Sequence, residues 1–258
     1  MSPRVPQRLR KRRGERSRRM VFPSAGCKMI VAIDGPAGSG KSTTAKALSA
    51  KLKLPYIDTG AMYRALTFLA MKKQVDLKDG KALARLARTA DIDLKRTANG
   101  RYRVTVNGMD VTREIRTPEL TKNVHHAASC PGVRAQMVNL QRKFGRKRGG
   151  VLEGRDIGTV VFPGAPFKFY LDADFKKRAE RRYKEFLAKG IKAGLAEVEK
   201  DLKARDRKDL TRKVGPLKAA PDARVIDTTA LTIPQTVAII TRFILSKRGR
   251  SRRAGALR

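Results

Sequence analysis

The chain has 258 residues, 41% of them hydrophobic, enough for one generous domain or one domain with a small insert. No run of about 18 apolar residues occurs, which excludes a membrane-spanning helix; the start lacks the apolar segment of a secretory signal, and a count of two cysteines, Cys27 and Cys130, argues against a disulfide scaffold and for a reduced, cytosolic setting. The formal charge of +37 divides into +9 over 1–29, +6 over 247–258 and +22 over the body between them; so basic a body suits polyanionic substrates, attracts nucleic acid non-specifically, or reflects a general basic bias of the source.

Residues 1–28 are dense in Arg, Pro and Ser without hydrophobic period, and are expected to form a basic, disordered extension. Three readings of it stand: a nucleic-acid or surface-binding arm, an Arg-rich transit-type peptide, or a start of translation at Met20 or Met29. An apolar run at 29–33 predicts a strand. It is followed by Gly35-Pro36-Ala37-Gly38-Ser39-Gly40-Lys41-Ser42 and a helix over 41–52, with Ala45, Leu48 and Leu52 at helical spacing. A short strand at 54–58 ends in Asp58-Thr59-Gly60, and helices are expected over 61–71 and 81–89. Residues 91–112 alternate or are β-branched, with hairpin signals at Asn99-Gly100 and Asn107-Gly108, so a small three-stranded antiparallel insert is expected there. Helices over 117–128 and 131–144 follow, then strands at 150–153 and 167–171. A charged helical stretch over 175–210, broken near Gly190 and Gly194, leads to a last strand at 224–227. The last helix, over 233–245, places Val237, Ile240 and Ile244 on one face, and a basic tail, 247–258, ends the chain. Strands alternating with helices predict a three-layer α/β fold whose five-stranded parallel sheet is covered on both faces.

The glycine-rich stretch matches the phosphate-binding pattern G-x-x-x-x-G-K-[ST] between a strand and a helix, the context the motif requires. Its glycines let backbone N–H groups form a nest, and the next helix aims its positive end at the same point. Residues Gly35, Pro36, Ala37, Gly38, Ser39, Gly40, Lys41, Ser42 and Thr43 are therefore the expected triphosphate site. Lys41 would meet the β- and γ-phosphates, and Ser42 would offer its hydroxyl to Mg²⁺. The chain has no D-x-x-G and N-K-x-D pair of a GTPase, and no apolar run ending in Asp-Glu as in helicases and transporters. Its size and single loop favour a small-molecule kinase.

Residues 34–44, Tyr56-Ile57-Asp58-Thr59-Gly60-Ala61-Met62-Tyr63-Arg64 and Glu153-Gly154-Arg155-Asp156-Ile157-Gly158-Thr159-Val160-Val161-Phe162-Pro163 together resemble the bacterial cytidylate kinase family. So do Arg205-Asp206-Arg207-Lys208-Asp209, Pro216-Leu217-Lys218 and Pro221-Asp222-Ala223. The resemblance runs from about residue 29 to 246 and implies a P-loop kinase that passes the γ-phosphoryl group of ATP to CMP or dCMP. It implies a monophosphate-binding region over about 60–147, containing the antiparallel insert, and a helical lid over about 182–195. An acceptor that is already a phosphate needs no strong general base; the task is to hold two polyanions in line, neutralise charge and exclude water.

By similarity Arg64 grips the monophosphate with Thr59 near the base, Arg134 reaches base or phosphate, and Arg155 touches phosphate. Asp156 pairs with the amino edge of cytosine or with a neighbouring arginine. Arg205, Asp209 and Arg212 share one face of a helix turn; the resemblance puts the first two on the ribose hydroxyls and the third at the acceptor site. Lys41, Arg155 and Arg182 are the expected catalytic residues, Arg182 chosen from the trio Arg178, Arg181 and Arg182. Mg²⁺ is expected on Ser42 and the ATP phosphates without a carboxylate cage, with Asp58 as an outer-sphere partner. His125 stands where the family has a serine contacting the nucleotide, by drift or with an altered base preference; His126 has no role. The expected partners are ATP, CMP and dCMP, for a cytoplasmic monomer with no membrane contact and only weak, non-specific nucleic-acid binding through the tails. Two competitors remain: a kinase of the same fold for another monophosphate or shikimate, and a nucleic-acid binder using ATP as a switch.

Overall fold

The computed structural model describes residues 29–97 and 102–255. The extension 1–28, with Cys27, the turn signal Asn99-Gly100 and residues 256–258 lie outside the described residues. In chain order the elements are β1 (Ile30–Asp34), α1 (Lys41–Leu52), β2 (Tyr56–Asp58), α2 (Thr59–Lys72), α3 (Gly80–Thr89), β3 (Ile92–Arg96), β4 (Tyr102–Val106) and β5 (Met109–Asp110). Then come α4 (Pro118–Ser129), α5 (Pro131–Arg148), β6 (Gly150–Gly154), β7 (Phe167–Asp172), α6 (Phe175–Ala188), α7 (Leu195–Thr211), β8 (Arg224–Asp227) and α8 (Ile233–Gly255).

The five-stranded sheet has the order β2-β6-β1-β7-β8, with every pair parallel. β1 is central, and its period-2 side chains separate two cores. Val31 and Ile33 join Ala45 and Leu48 of α1 and Val237, Ile240 and Ile244 of α8. Ile30 and Ala32 face the opposite layer, with Met62 and Leu66 of α2, Leu83 of α3, Leu120 of α4 and Met137 of α5. The small antiparallel sheet, β3-β4-β5, docks on this second core through Ile92, Val104 and Val106. Asn107 (φ 49°) and Gly108 (φ 78°) form its β4–β5 turn, the two positive φ values a type I′ hairpin requires.

Three boundaries differ from expectation. α2 begins at Thr59 because the Asp58 carboxylate caps it, accepting from Ala61 N at 2.9 Å. α5 continues to Arg148, since Arg and Lys are good helix formers and complement the helix C-terminus, and it stops at Gly149 (φ 67°). α8 runs through much of the predicted tail to Gly255 for the same reason of propensity. No helix among the described residues is long and apolar enough to cross a membrane. With β1 flanked by β6 and β7, the carboxyl ends of these three strands open one crevice, the place where open α/β sheets bind ligands.

Candidate active site

The glycine loop leaves the end of β1 and enters α1. Its shape is held by its own chain: Ser39 Oγ and Lys41 Nζ both donate to the carbonyl of Pro36, at 3.0 and 2.9 Å. Gly38 takes φ 77° against helix α6, where a Cβ would lie 2.9 Å from the Arg178 carbonyl, so no other residue fits. The cap of α1, Gly40, has no side chain to satisfy the first-turn amides, which stay available for an anion, while Ser42 and Thr43 lie exposed beside them. Burial, helped by the nearby Arg155, pulls the Lys41 pKa down to about 7, against the pull of Glu153.

The sequence offered Asp58 as an outer-sphere carboxylate and gave Glu153 no role; the structure sets Glu153 beside Ser42. Glu153, at the end of β6, accepts from Ser42 Oγ at 2.5 Å, and Tyr56 donates to its other oxygen. Burial first, then Asp58, raises the Glu153 pKa, while Lys41 and the two hydroxyl donors work against the rise. A hydroxyl and a carboxylate at the head of a phosphate loop are hard oxygen donors of the kind Mg²⁺ takes alongside phosphate oxygens. Among the described residues no three His, Cys, Asp or Glu side chains gather to hold a metal alone. The legible signal was an apolar strand ending in one acid, Val151-Leu152-Glu153. Asp58, the expected outer-sphere partner, caps α2 and pairs with Arg116 at 3.4 Å.

Across the crevice stand the arginines. Arg155 Nε donates to Asp209 Oδ2 at 2.7 Å; burial opposes its charge, yet Asp209 holds its pKa above the ordinary value. Arg205 is pulled down to about 9 by burial and then by the charges of Arg155 and Arg64. Arg64 is pulled down to about 10 by burial and by Arg182, Arg116 and Arg155, with only Asp58 opposing. Arg64 Nη1 is steadied by Ile115 O at 3.1 Å and Thr121 Oγ1 at 2.8 Å. These guanidinium groups converge with too few carboxylates to balance them.

A second cluster lies deeper. Asp156 bridges Arg134, which is 2% exposed, and Arg212, whose Nη2 lies 3.5 Å from Asp156 Oδ1. Of the two partners left open for Asp156, the structure provides neighbouring arginines. Arg134 also donates to the Tyr63 hydroxyl at 3.3 Å, but its buried Nε has no partner. Arg212 is tied to the carbonyl of Gly215. Gly215 (φ 59°) was not singled out from sequence, yet a Cβ there would lie 2.2 Å from Arg134 Nη2 and 2.3 Å from Asp156 Oδ2. Thr59 is buried, with Oγ1 donating to Glu153 O at 2.6 Å, so its hydroxyl proton is already committed to the strand end.

The trio on α6 divides. Arg178 is buried and ties helix to loop, donating to Ala37 O at 3.0 Å and pairing with Asp206 at 2.5 Å. Arg181 is held by the Thr228 carbonyl at 2.6 Å. Arg182 pairs with Glu185 at 2.7 Å, and its charge lowers the pKa of Arg64 and Arg205. His125 lies on α4 with Nδ1 2.8 Å from Lys122 O and Nε2 3.2 Å from Lys208 Nζ on α7. The lysine can only donate, so Nδ1 carries the ring proton and Nε2 accepts.

Compared with known proteins, residues 31–246 match the family model described as Cytidylate kinase. The Cytidylate kinase of Lactobacillus johnsonii is 48% identical over 219 residues, covering 85% of this chain and 95% of that protein. The Cytidylate kinase of Pelotomaculum thermopropionicum is 47% identical over 210 residues, covering 81% and 93%. A Bifunctional pantoate ligase/cytidylate kinase of Synechococcus is 42% identical over 248 residues, covering 92% of this chain but 46% of that longer protein.

Proposed function

The chain belongs to the cytidylate kinase family, and from that premise we propose that it transfers the γ-phosphoryl group of ATP to CMP and dCMP, giving CDP and dCDP. The observation that carries the reading is the facing pair of anion sites: a glycine loop with Lys41, opposite Arg64, Arg155, Arg182 and Arg205, which repel one another until a polyanion lies between them. The loop, from Gly35 to Thr43, takes the ATP phosphates. Arg64 and Arg155 take the acceptor phosphate, and Lys41 and Arg182 follow the charge as it moves between the two.

Arg134, Asp156 and Arg212 form the base end of the acceptor site. The Asp156 carboxylate supplies an acceptor for the exocyclic amine of cytosine, which uracil lacks. Arg205 and Asp209 face the ribose, and Thr59 shapes the wall beside the base. Mg²⁺, held by Ser42, Glu153 and the phosphates, would neutralise charge on the triphosphate. The lid, over about 182–195, takes in the end of α6 and the segment joining it to α7, and its closure over the phosphates would exclude water. The reading places the reaction in a cytoplasmic monomer.

A panel of CMP, dCMP, UMP and AMP, with ADP production followed by a coupled assay on the full chain, tests this. Preference for CMP and dCMP is expected; strong preference for UMP or AMP overturns it.

A further inference from the structure

Asp34 ends β1 and immediately precedes the glycine loop. It shares the parity of Ile30 and Ala32, so its side chain turns to the sheet face that carries α2 and α5, away from α1. It is 3% exposed, and its two oxygens accept from Ile157 N and Gly158 N, each at 2.8 Å. Those amides open a π-helical turn, Ile157–Val161, whose cap position is occupied by Asp156. A capping aspartate ordinarily accepts from the first amides of its own helix. Asp156 makes no such bond; its carboxylate is turned to Arg134 and Arg212. The capping duty has passed to Asp34, 123 and 124 residues away from the amides it binds.

Holding a carboxylate at this buried place is costly. Burial pushes the Asp34 pKa up to about 6 even though two amides and Arg155 pull it down. An uncharged side chain would avoid that burden. The turn is also closed from behind: a Cβ at Gly158 would stand 3.2 Å from Lys168 Cδ, 3.4 Å from Asp34 Oδ2 and 3.5 Å from Ala220 Cβ. Lys168 is itself buried and paired with Asp222 at 2.8 Å. The turn is thus held between Asp34 and the Lys168 stem.

We propose that Asp34 is a positioning residue that registers Arg155 and Asp156 against the glycine loop, so that one carboxylate fixes the distance between the two halves of the crevice. This rests on the reading that Arg155 and Asp156 hold the acceptor monophosphate.

The test is Asp34→Asn in the full chain, which keeps shape and one acceptor but sets an amide NH₂ against a backbone N–H. A misplacement of about 1 Å costs on the order of 100-fold in rate, so kcat/KM for CMP should fall by about 10- to 100-fold. ATP binding, titrated directly with a fluorescent analogue in the absence of CMP, should change by less than about threefold, because the loop's own bonds are untouched. Gly158→Ala crowds the same turn more gently, and should give the same split at smaller size if the first variant does not fold. The inference is overturned if either folded variant keeps its CMP parameters within twofold of the parent, or weakens ATP binding as much as CMP turnover. If the parent chain itself turns over no CMP, the underlying reading falls, and this inference with it.

Discussion

The glycine loop and the arginine cluster are built in opposite ways. The loop is one run of consecutive residues, Gly35 to Thr43, and its Ser39 and Lys41 side chains bond its own Pro36 carbonyl. From outside it is tied through its carbonyls, by Arg178 on Ala37 O and Thr228 on Ser39 O. The cluster is assembled from side chains on α2, α5, α6, α7 and the end of β6, and it carries more guanidinium groups than its carboxylates neutralise. In the proposed reading, the donor half is preformed and the acceptor half completes its charge balance only with substrate. Damage to the donor half should therefore appear in the chemical step, whereas damage to the acceptor half should also appear in stability and in CMP binding.

The largest effect is expected from Lys41→Met. In the proposed reading its ammonium follows the moving phosphoryl group, so kcat should drop about 1000-fold with little change in melting temperature, by steady-state kinetics and calorimetry. Next is Asp156→Asn, which leaves Arg134 and Arg212 buried without their shared carboxylate. A stability loss of about 3 kcal/mol by urea titration, together with a raised KM for CMP, is expected; a variant that lost CMP binding alone would break the contrast between the halves. Glu153→Gln keeps the volume and removes the charge beside Ser42, so the Mg²⁺ concentration for half-maximal rate should rise about tenfold.

Lys41 also predicts a pH effect. Its pKa in the free protein is lowered to about 7, and bound phosphates would raise it. Below pH 7 the lysine is already charged; above it, ATP must bind together with a proton. ATP affinity should then weaken by about fivefold between pH 7 and 8, with proton uptake visible by calorimetry in buffers of different ionisation enthalpy. Lys41→Met should lose this dependence. The smallest effect belongs to His125→Ser. The imidazole is partly exposed and bonds Lys122 O and Lys208 Nζ. KM values for CMP, dCMP and UMP should each move by less than about threefold, as for other exposed polar contacts. A selective change for one base would show that this position reads the nucleotide.

Much of this was legible in one dimension. The five parallel strands, the antiparallel insert and the glycine loop follow from local patterns: β-branched runs, turn dipeptides, and a motif whose residues act on their own neighbours. The resemblance to cytidylate kinases identified the arginines and aspartates as a set, but not their pairing. Asp156 could equally have met a base or an arginine, and the three α6 arginines were indistinguishable. Glu153 was quoted as part of a motif and given no role, because its partner Ser42 lies 111 residues earlier.

By itself, then, the chain's sequence determined a P-loop α/β fold and the residue types that gather at its crevice, since propensity, periodicity and motif spacing are local. Only the tertiary structure decided which arginine is buried as a tie, which lies near the other guanidinium groups, and which carboxylate stands beside the serine. Those choices depend on distances between side chains far apart in sequence, where burial and neighbouring charge, rather than residue identity, set each group's state.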